Sequence, residues 1–239
     1  MKNRLTEGRL FCLKELHKNS ATLQHAILKR NEWEPYVPTH FIYSFFTFNT
    51  LYNVNWEESI DYGQIRTHLS NRYNTITEHD KINAYIDFCC QDEEFLDIYK
   101  EFFVQYITRH YRAEDILNEF RNIQVDRRYS NGSLWRQQDI NEFIDACAKC
   151  LNDNVINQDI IESIVGFIYK VRCNLFHGVK GMDELNVPSQ QIRLDIYSLF
   201  IIAINQMVFS FIEYKDGRDI TKGFSSLIEL LRWKNSEPR

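Results

Sequence analysis

Glycine and proline are scarce in this chain, at 8 and 4 among 239 residues. Turn markers are correspondingly few, and with long apolar segments at helical spacing this points to an all-α protein. Excess positive charge is also missing. The net charge is −5 and the pI about 5.8, which excludes non-specific coating of nucleic acid, an affinity built from many Lys and Arg contacts to phosphate. A local basic groove among the 28 Lys and Arg stays open. The opening stretch M-K-N-R-L-T-E-G-R-L lacks the apolar core of a signal peptide. The longest uncharged run, Ile196 to Ile212, falls short of a membrane span and carries Asn205 and Gln206, so it reads as a central helix surrounded by others. No membrane partner is expected, and the location expected is cytoplasmic.

Several chemistries lack their residues as well. There is no G-x-x-x-x-G-K-[ST], G-x-G-x-x-G, H-E-x-x-H or G-x-S-x-G in the chain, which removes support for P-loop, Rossmann, zincin and hydrolase-elbow readings. Glu57-Glu58 and Glu93-Glu94 are adjacent pairs that diverge around a helix and cannot simply clamp one metal. Six cysteines are present, expected as free thiols in a reducing compartment. Cys147 and Cys150 have C-x-x-C spacing, and Cys89-Cys90 could add two ligands, but both sulfurs of the first pair fall on the apolar face of one helix. Buried core thiols are the expectation, with no metal and no cofactor.

What the chain does have is apolar and aromatic: 44% hydrophobic residues, 17 Phe and 13 Tyr, enough for a helical bundle with an aromatic core. Helices are expected at Leu5 to Leu16 and Ala21 to Arg30, followed by a break at Pro35 and Pro38. Thr39 is expected to cap the next helix, His40 to Trp56, where Phe41, Phe45, Phe48 and Tyr52 form a stripe with Asn49 beside it. Residues 55–74 read as loop. Further helices are expected at Glu78 to Cys90, Glu93 to His110, Ala113 to Ile123, Asp139 to Leu151, Gln158 to Phe176, Ser189 to Tyr214 and Thr221 to Trp233, with residues 124–138 the clearest connection. Arg109, His110, Arg112, Arg121, Arg127 and Arg128 are interleaved with Glu114, Asp115, Glu119 and Asp126, the pattern of a solvated, ion-paired surface.

One stretch, V-R-C-N-L-F-H-G-V-K from Val171 to Lys180, holds the candidate site. At about 100° per residue, Ile161, Ile164, Val165, Ile168 and Leu175 share one helical stripe, and Arg172 falls in its middle. A guanidinium there needs carboxylates, carbonyls or a wet cleft, so this level of the helix should face a groove or a partner. Gly178 looks like a helix stop, which would put His177 in the last turn, where the helix dipole favours an imidazolium. Histidine near neutrality beside a permanent cation suits acid–base chemistry on phosphate. The alternative is a C-terminal cap in which both residues satisfy helix-end carbonyls, and spacing alone leaves that open.

R-x₄-H followed by Gly, ending one long apolar helix and followed by a loop and a second long helix, resembles the HEPN superfamily. These are all-α domains, many of them metal-independent endoribonucleases of toxin–antitoxin, CRISPR and other defence systems. The resemblance is firmest from Ile160 to Ile212 and looser at His40 to Trp56, where F-x-F-N-x-L-Y-N looks like a first core helix. It implies a single all-α domain over 1–239, with the HEPN-like core at about 38–56 and 155–215 and a helical elaboration at 75–151. It also implies a homodimer whose two motifs face one cleft, an RNA substrate, and possible pairing with an antitoxin or defence protein. Arg172 and His177 would be catalytic. The family's polar residue after the arginine is here Cys173, with Asn174 next, and both are supporting candidates. Lys180 is a candidate phosphate contact, and Asn49 and Tyr52 candidate cleft-lining residues. A non-catalytic HEPN-like module that binds protein or RNA is the second reading. An unrelated helical protein in which Arg172 and His177 cap a helix is the third.

Overall fold

The computed structural model describes residues 11–19, 36–53, 77–109, 111–123, 137–176 and 187–220. All regular structure among them is helical: α1 (residues 11–19), α2 (Tyr36–Tyr52), α3 (Glu78–Cys90), α4 (Glu93–Thr108), α5 (Ala113–Arg121), α6 (Gln137–Asp153), α7 (Gln158–Phe176) and α8 (Pro188–Lys215). The expected all-α class is what the structure has. The segments Ala21 to Arg30 and Thr221 to Trp233 lie outside the described residues.

The bundle is built around α8. From Arg193 to Phe211 every residue of this helix is buried, the state demanded of a helix that is apolar all round rather than on one stripe. By length and composition α8 could cross a bilayer; here α2, α3, α4 and α5 cover it. Its few polar side chains are accommodated by neighbours. Asn205 donates to the Ser44 carbonyl of α2 (3.3 Å), the Tyr111 hydroxyl donates to Asp195 (2.7 Å), and Gln206 meets His17 of α1 (2.9 Å). Each such pairing avoids the roughly 1–3 kcal/mol cost of burying a polar group alone.

Aromatic side chains bind the layers together. Phe143 of α6 stacks on Phe167 of α7 with centroids 4.0 Å apart, and Phe120 of α5 stacks on Tyr197 of α8 at 5.6 Å. Each fully buried ring contributes about 1.5–3 kcal/mol of transfer free energy. The stripe of α2 is core as expected, since Phe41, Phe45, Phe48 and Tyr52 are all buried. Cys89, Cys90, Cys147 and Cys150 are buried too.

One boundary needs correction. Pro38 does not break the chain and Thr39 is not a cap, because α2 already begins at Tyr36. Proline is tolerated in a first turn, whose amide protons have no intrahelical acceptor. Elsewhere the ends have identifiable causes. Asn154 takes a left-handed φ of 54° to turn between α6 and α7, and the Asn157 side chain accepts from the Ile160 amide (3.0 Å) to open α7. Gly217, at φ 69°, closes α8 through its amide to the Tyr214 carbonyl and that of Arg218 to Glu213 (both 2.9 Å).

Candidate functional site

The wheel placed Arg172 on the buried stripe of α7. Ile161, Ile164, Val165 and Ile168 are indeed buried, while Arg172 is half-buried at the same face. Its guanidinium carbon lies 5.6 Å from the ring centroid of Phe45 on α2 and 5.7 Å from that of Tyr169, one turn back on α7. Those two rings are themselves 6.2 Å apart, so the cation rests across an aromatic notch between two helices. Such placement is worth about 0.5–2 kcal/mol, more as water is excluded.

The polar company of Arg172 comes from a third helix. Glu78, the first residue of α3, accepts hydrogen bonds from the Tyr169 hydroxyl on one carboxylate oxygen and the Tyr52 hydroxyl on the other. Tyr52 OH also lies against Asn49 Oδ1. Nearby, Lys81 Nζ donates to Asn53 Oδ1 (2.8 Å) and Asn53 Nδ2 to the Asn49 carbonyl (2.8 Å), which stitches the end of α2 to the start of α3. Glu78 is held there by a capping box: the Asp80 amide donates to Thr77 Oγ1 (3.2 Å) and the Thr77 amide to Asp80 Oδ2 (2.9 Å). A first-turn position also exposes Glu78 to the positive end of the helix dipole.

Electrostatics follow from this wiring. Burial works against charge on Glu78, but the bonds from Tyr169 and Tyr52, then Arg172 and Lys81, outweigh it and hold the carboxyl below its usual range. Burial, followed by the bond to Glu78, pushes the Tyr52 and Tyr169 phenols well above theirs, with Arg172 opposing at Tyr52. At neutral pH the cluster is therefore one carboxylate, two intact phenols and two cations. It can hold or screen an anion, and it keeps its hydroxyl protons.

The structure thus gathers Arg172, Tyr52 and Asn49, drawn from two distant stretches of chain. Cys173 is half-buried beside them, its sulfur 3.9 Å from Arg172 Nη1, a weak contact. Asn174 belongs to α7, but its side chain lies outside the described residues, as do His177, Gly178 and Lys180 entirely. Glu78, Tyr169 and Lys81 were not singled out by sequence. A T-E-H-D capping signature is present where α3 begins, yet nothing in it says that the first residue faces Arg172. In the basic stretch after α4, Arg112 pairs with Asp115 (2.8 Å) at an exposed position, the solvated surface expected there. The remaining basic residues at 110, 127 and 128 lie outside the described residues.

No family model, curated protein or solved structure matches this chain. What the fold and site define is an all-α bundle with a half-buried arginine in an aromatic and carboxylate-lined seam between α2, α3 and α7.

Proposed function

We propose that the chain is a metal-independent endoribonuclease of the HEPN type, acting as a homodimer in a toxin–antitoxin or defence setting. The ribose 2′-hydroxyl attacks the adjacent phosphorus and expels the 5′-oxygen, leaving a 2′,3′-cyclic phosphate and a 5′-hydroxyl. His177 moves the proton, and Arg172 stabilises negative charge growing on the phosphoryl oxygens.

The observation that supports this reading is the guanidinium of Arg172 lying over Phe45 of α2. A side chain aimed across an interhelical seam is placed for something other than capping the end of its own helix. The test is cleavage of single-stranded RNA in excess EDTA by wild type, Arg172→Ala and His177→Ala. Wild type should give cyclic-phosphate ends, and His177→Ala should lose about 10²–10⁴ in rate. Absence of cleavage by wild type, or equal cleavage by all three, refutes the reading.

Cys173 favours a second reading, a non-catalytic HEPN-like module, because a thiol 3.9 Å from Arg172 Nη1 supplies little polar support. RNA binding without cleavage in the same assay would establish it.

A further inference from the structure

The feature that the proposed reaction does not use is the carboxylate beside its arginine. An anion-binding site gains nothing in raw affinity from Glu78, yet the fold anchors it with two phenols from two different helices. Tyr52 is itself fixed, buried with its ring 5.1 Å from Phe48, whose ring sits 5.5 Å from Tyr85 of α3. The carboxylate therefore has a defined position, and swinging it away would leave two partly or fully buried hydroxyls without their acceptor. Its charge persists at neutral pH for the reasons given above. Asp80, two residues on, is turned back to Thr77 by the capping box, and Lys170 is committed to Asp139 of α6 at 3.2 Å.

Two cations, Arg172 and Lys81, and one carboxylate, Glu78, interact at this seam, so their formal sum is one positive charge. That is the complement of a monoanion. Each phosphodiester inside an RNA strand is a monoanion, whereas a terminal phosphate near pH 7 carries about −1.5 to −2. A fixed carboxylate beside the binding arginine repels the second charge as strongly as it repels the first, so the extra charge of a terminal phosphate gains less here than beside arginine alone.

We propose that Glu78 is a charge filter: by offsetting one of the two cations at the Arg172 site, it removes much of the advantage that a terminal phosphate monoester's second charge would otherwise hold over an internal phosphodiester. This rests on the reading of Arg172 as a phosphate contact, and it assigns Glu78 a specificity role rather than a catalytic one.

The experiment is competition against a labelled 2′-O-methyl RNA oligonucleotide, which cannot be cut by its own 2′-oxygen. The competitors are a 2′-O-methyl dinucleoside phosphodiester and the corresponding nucleoside 3′-monophosphate, each measured from pH 5 to 8. The diester has no proton to lose in this range, and comparing wild type with Glu78→Gln at each pH cancels the titrations that the two proteins share. In wild type, the monoester should gain little on the diester as it loses its second proton, near pH 6, and in Glu78→Gln it should gain clearly more. Glu78→Gln should shift the ratio towards the monoester about tenfold, the effect of one unit charge close by in a half-wet cleft.

Arg172→Ala separates the two ideas. If it leaves the binding of both competitors unchanged, Arg172 is no phosphate contact, and both the function and the filter fall. If it weakens both while Glu78→Gln leaves the ratio untouched, the filter alone is overturned. Should Glu78→Gln not fold, the wild-type series still decides, because a monoester that gains about tenfold or more on the diester as pH rises from 5 to 8 overturns the proposal.

Discussion

Acidification should loosen the attachment of α1 before it unfolds the rest of the bundle, and His17 sets the size of the effect. This histidine is buried, with Nε2 2.9 Å from Gln206 Oε1 and its ring 5.4 Å from that of Phe209, both on α8. Since the amide oxygen can only accept, Nε2 carries the proton. Nδ1 is then a bare nitrogen, buried with no hydrogen-bond partner. Charging the ring would put an unsatisfied N–H and a full charge in an apolar seam. Burial accordingly lowers the pKa from 6.5 to about 4, against the opposing Gln206 bond.

The sign follows directly. Below pH 6.5 the unfolded chain takes up a proton at this position, while the folded chain does not until about pH 4. Stability is thus complete above 6.5, falls through the interval, and levels off below 4. Linkage gives a loss of about 2 kcal/mol at pH 5 and about 3 kcal/mol at pH 4. These figures are ceilings, because α1 can escape the penalty by undocking. Its tethers besides His17 include Leu13, which is buried, and a partly exposed Lys14–Glu213 ion pair of 2.8 Å, a pair worth about 0–1 kcal/mol. Urea denaturation of wild type and His17→Gln at pH 7.5 and pH 5 measures the effect, with carboxylate titrations common to both proteins cancelling in the difference. Hydrogen-exchange protection over residues 11–19, taken relative to the intrinsic rate at each pH, should fall at pH 5 in wild type only. Superimposable pH profiles for the two proteins would refute the reasoning.

Other consequences are more local. Phe143→Ala removes a ring packed against Phe167, Phe120 and Tyr197, and thermal denaturation should show a loss of about 3–5 kcal/mol. Tyr111→Phe takes a donor from the buried Asp195 and should cost about 1–3 kcal/mol by the same measurement. Arg112→Ala, at an exposed arginine whose pairing with Asp115 is worth little in water, should leave the melting temperature unchanged. Thiol labelling of the folded protein should reach Cys12, which is exposed, and then Cys173. Burial raises the pKa of Cys89, Cys90, Cys147 and Cys150, with Cys150 at about 12, so these four should react only on unfolding.

Where one helix face met one core, the sequence was readable. Glu78–Cys90 and Gln158–Phe176 were placed to the residue, because a capping box opens the first and an unbroken Ile and Val stripe runs through the second. The start of α2 was misread because proline was treated as a breaker. At a helix start its missing amide proton costs nothing, so Tyr36–Pro38 joins the first turn. The length of α8 was legible and its surroundings were not: a uniformly apolar helix announces burial without saying which partners bury it.

The site divides along the same line. That Arg172 sits on a core stripe is a property of one helix, available from spacing, and it called for carboxylates, carbonyls or a wet cleft at that level, of which the structure supplies the Glu78 carboxylate. The nature of the neighbourhood depends on the long stretch of chain between Glu78 and Arg172 folding so that α3 starts beside Arg172, which no local pattern encodes. The sequence argument looked for help at Cys173 and Asn174, the positions next to the arginine. A helix sends consecutive residues about 100° apart, so an immediate neighbour is poorly placed to serve the same face. Tyr169, three residues earlier, shares it, and does so in the structure with its ring under the guanidinium. Arg172→Lys tests how much that ring matters. A lysine keeps the charge but lacks the planar group that rests on both rings, so if stacking orients the cation, the substitution should weaken binding of the 2′-O-methyl oligonucleotide nearly as much as Arg172→Ala. If lysine binds as tightly as arginine, charge alone suffices and the aromatic notch is only packing.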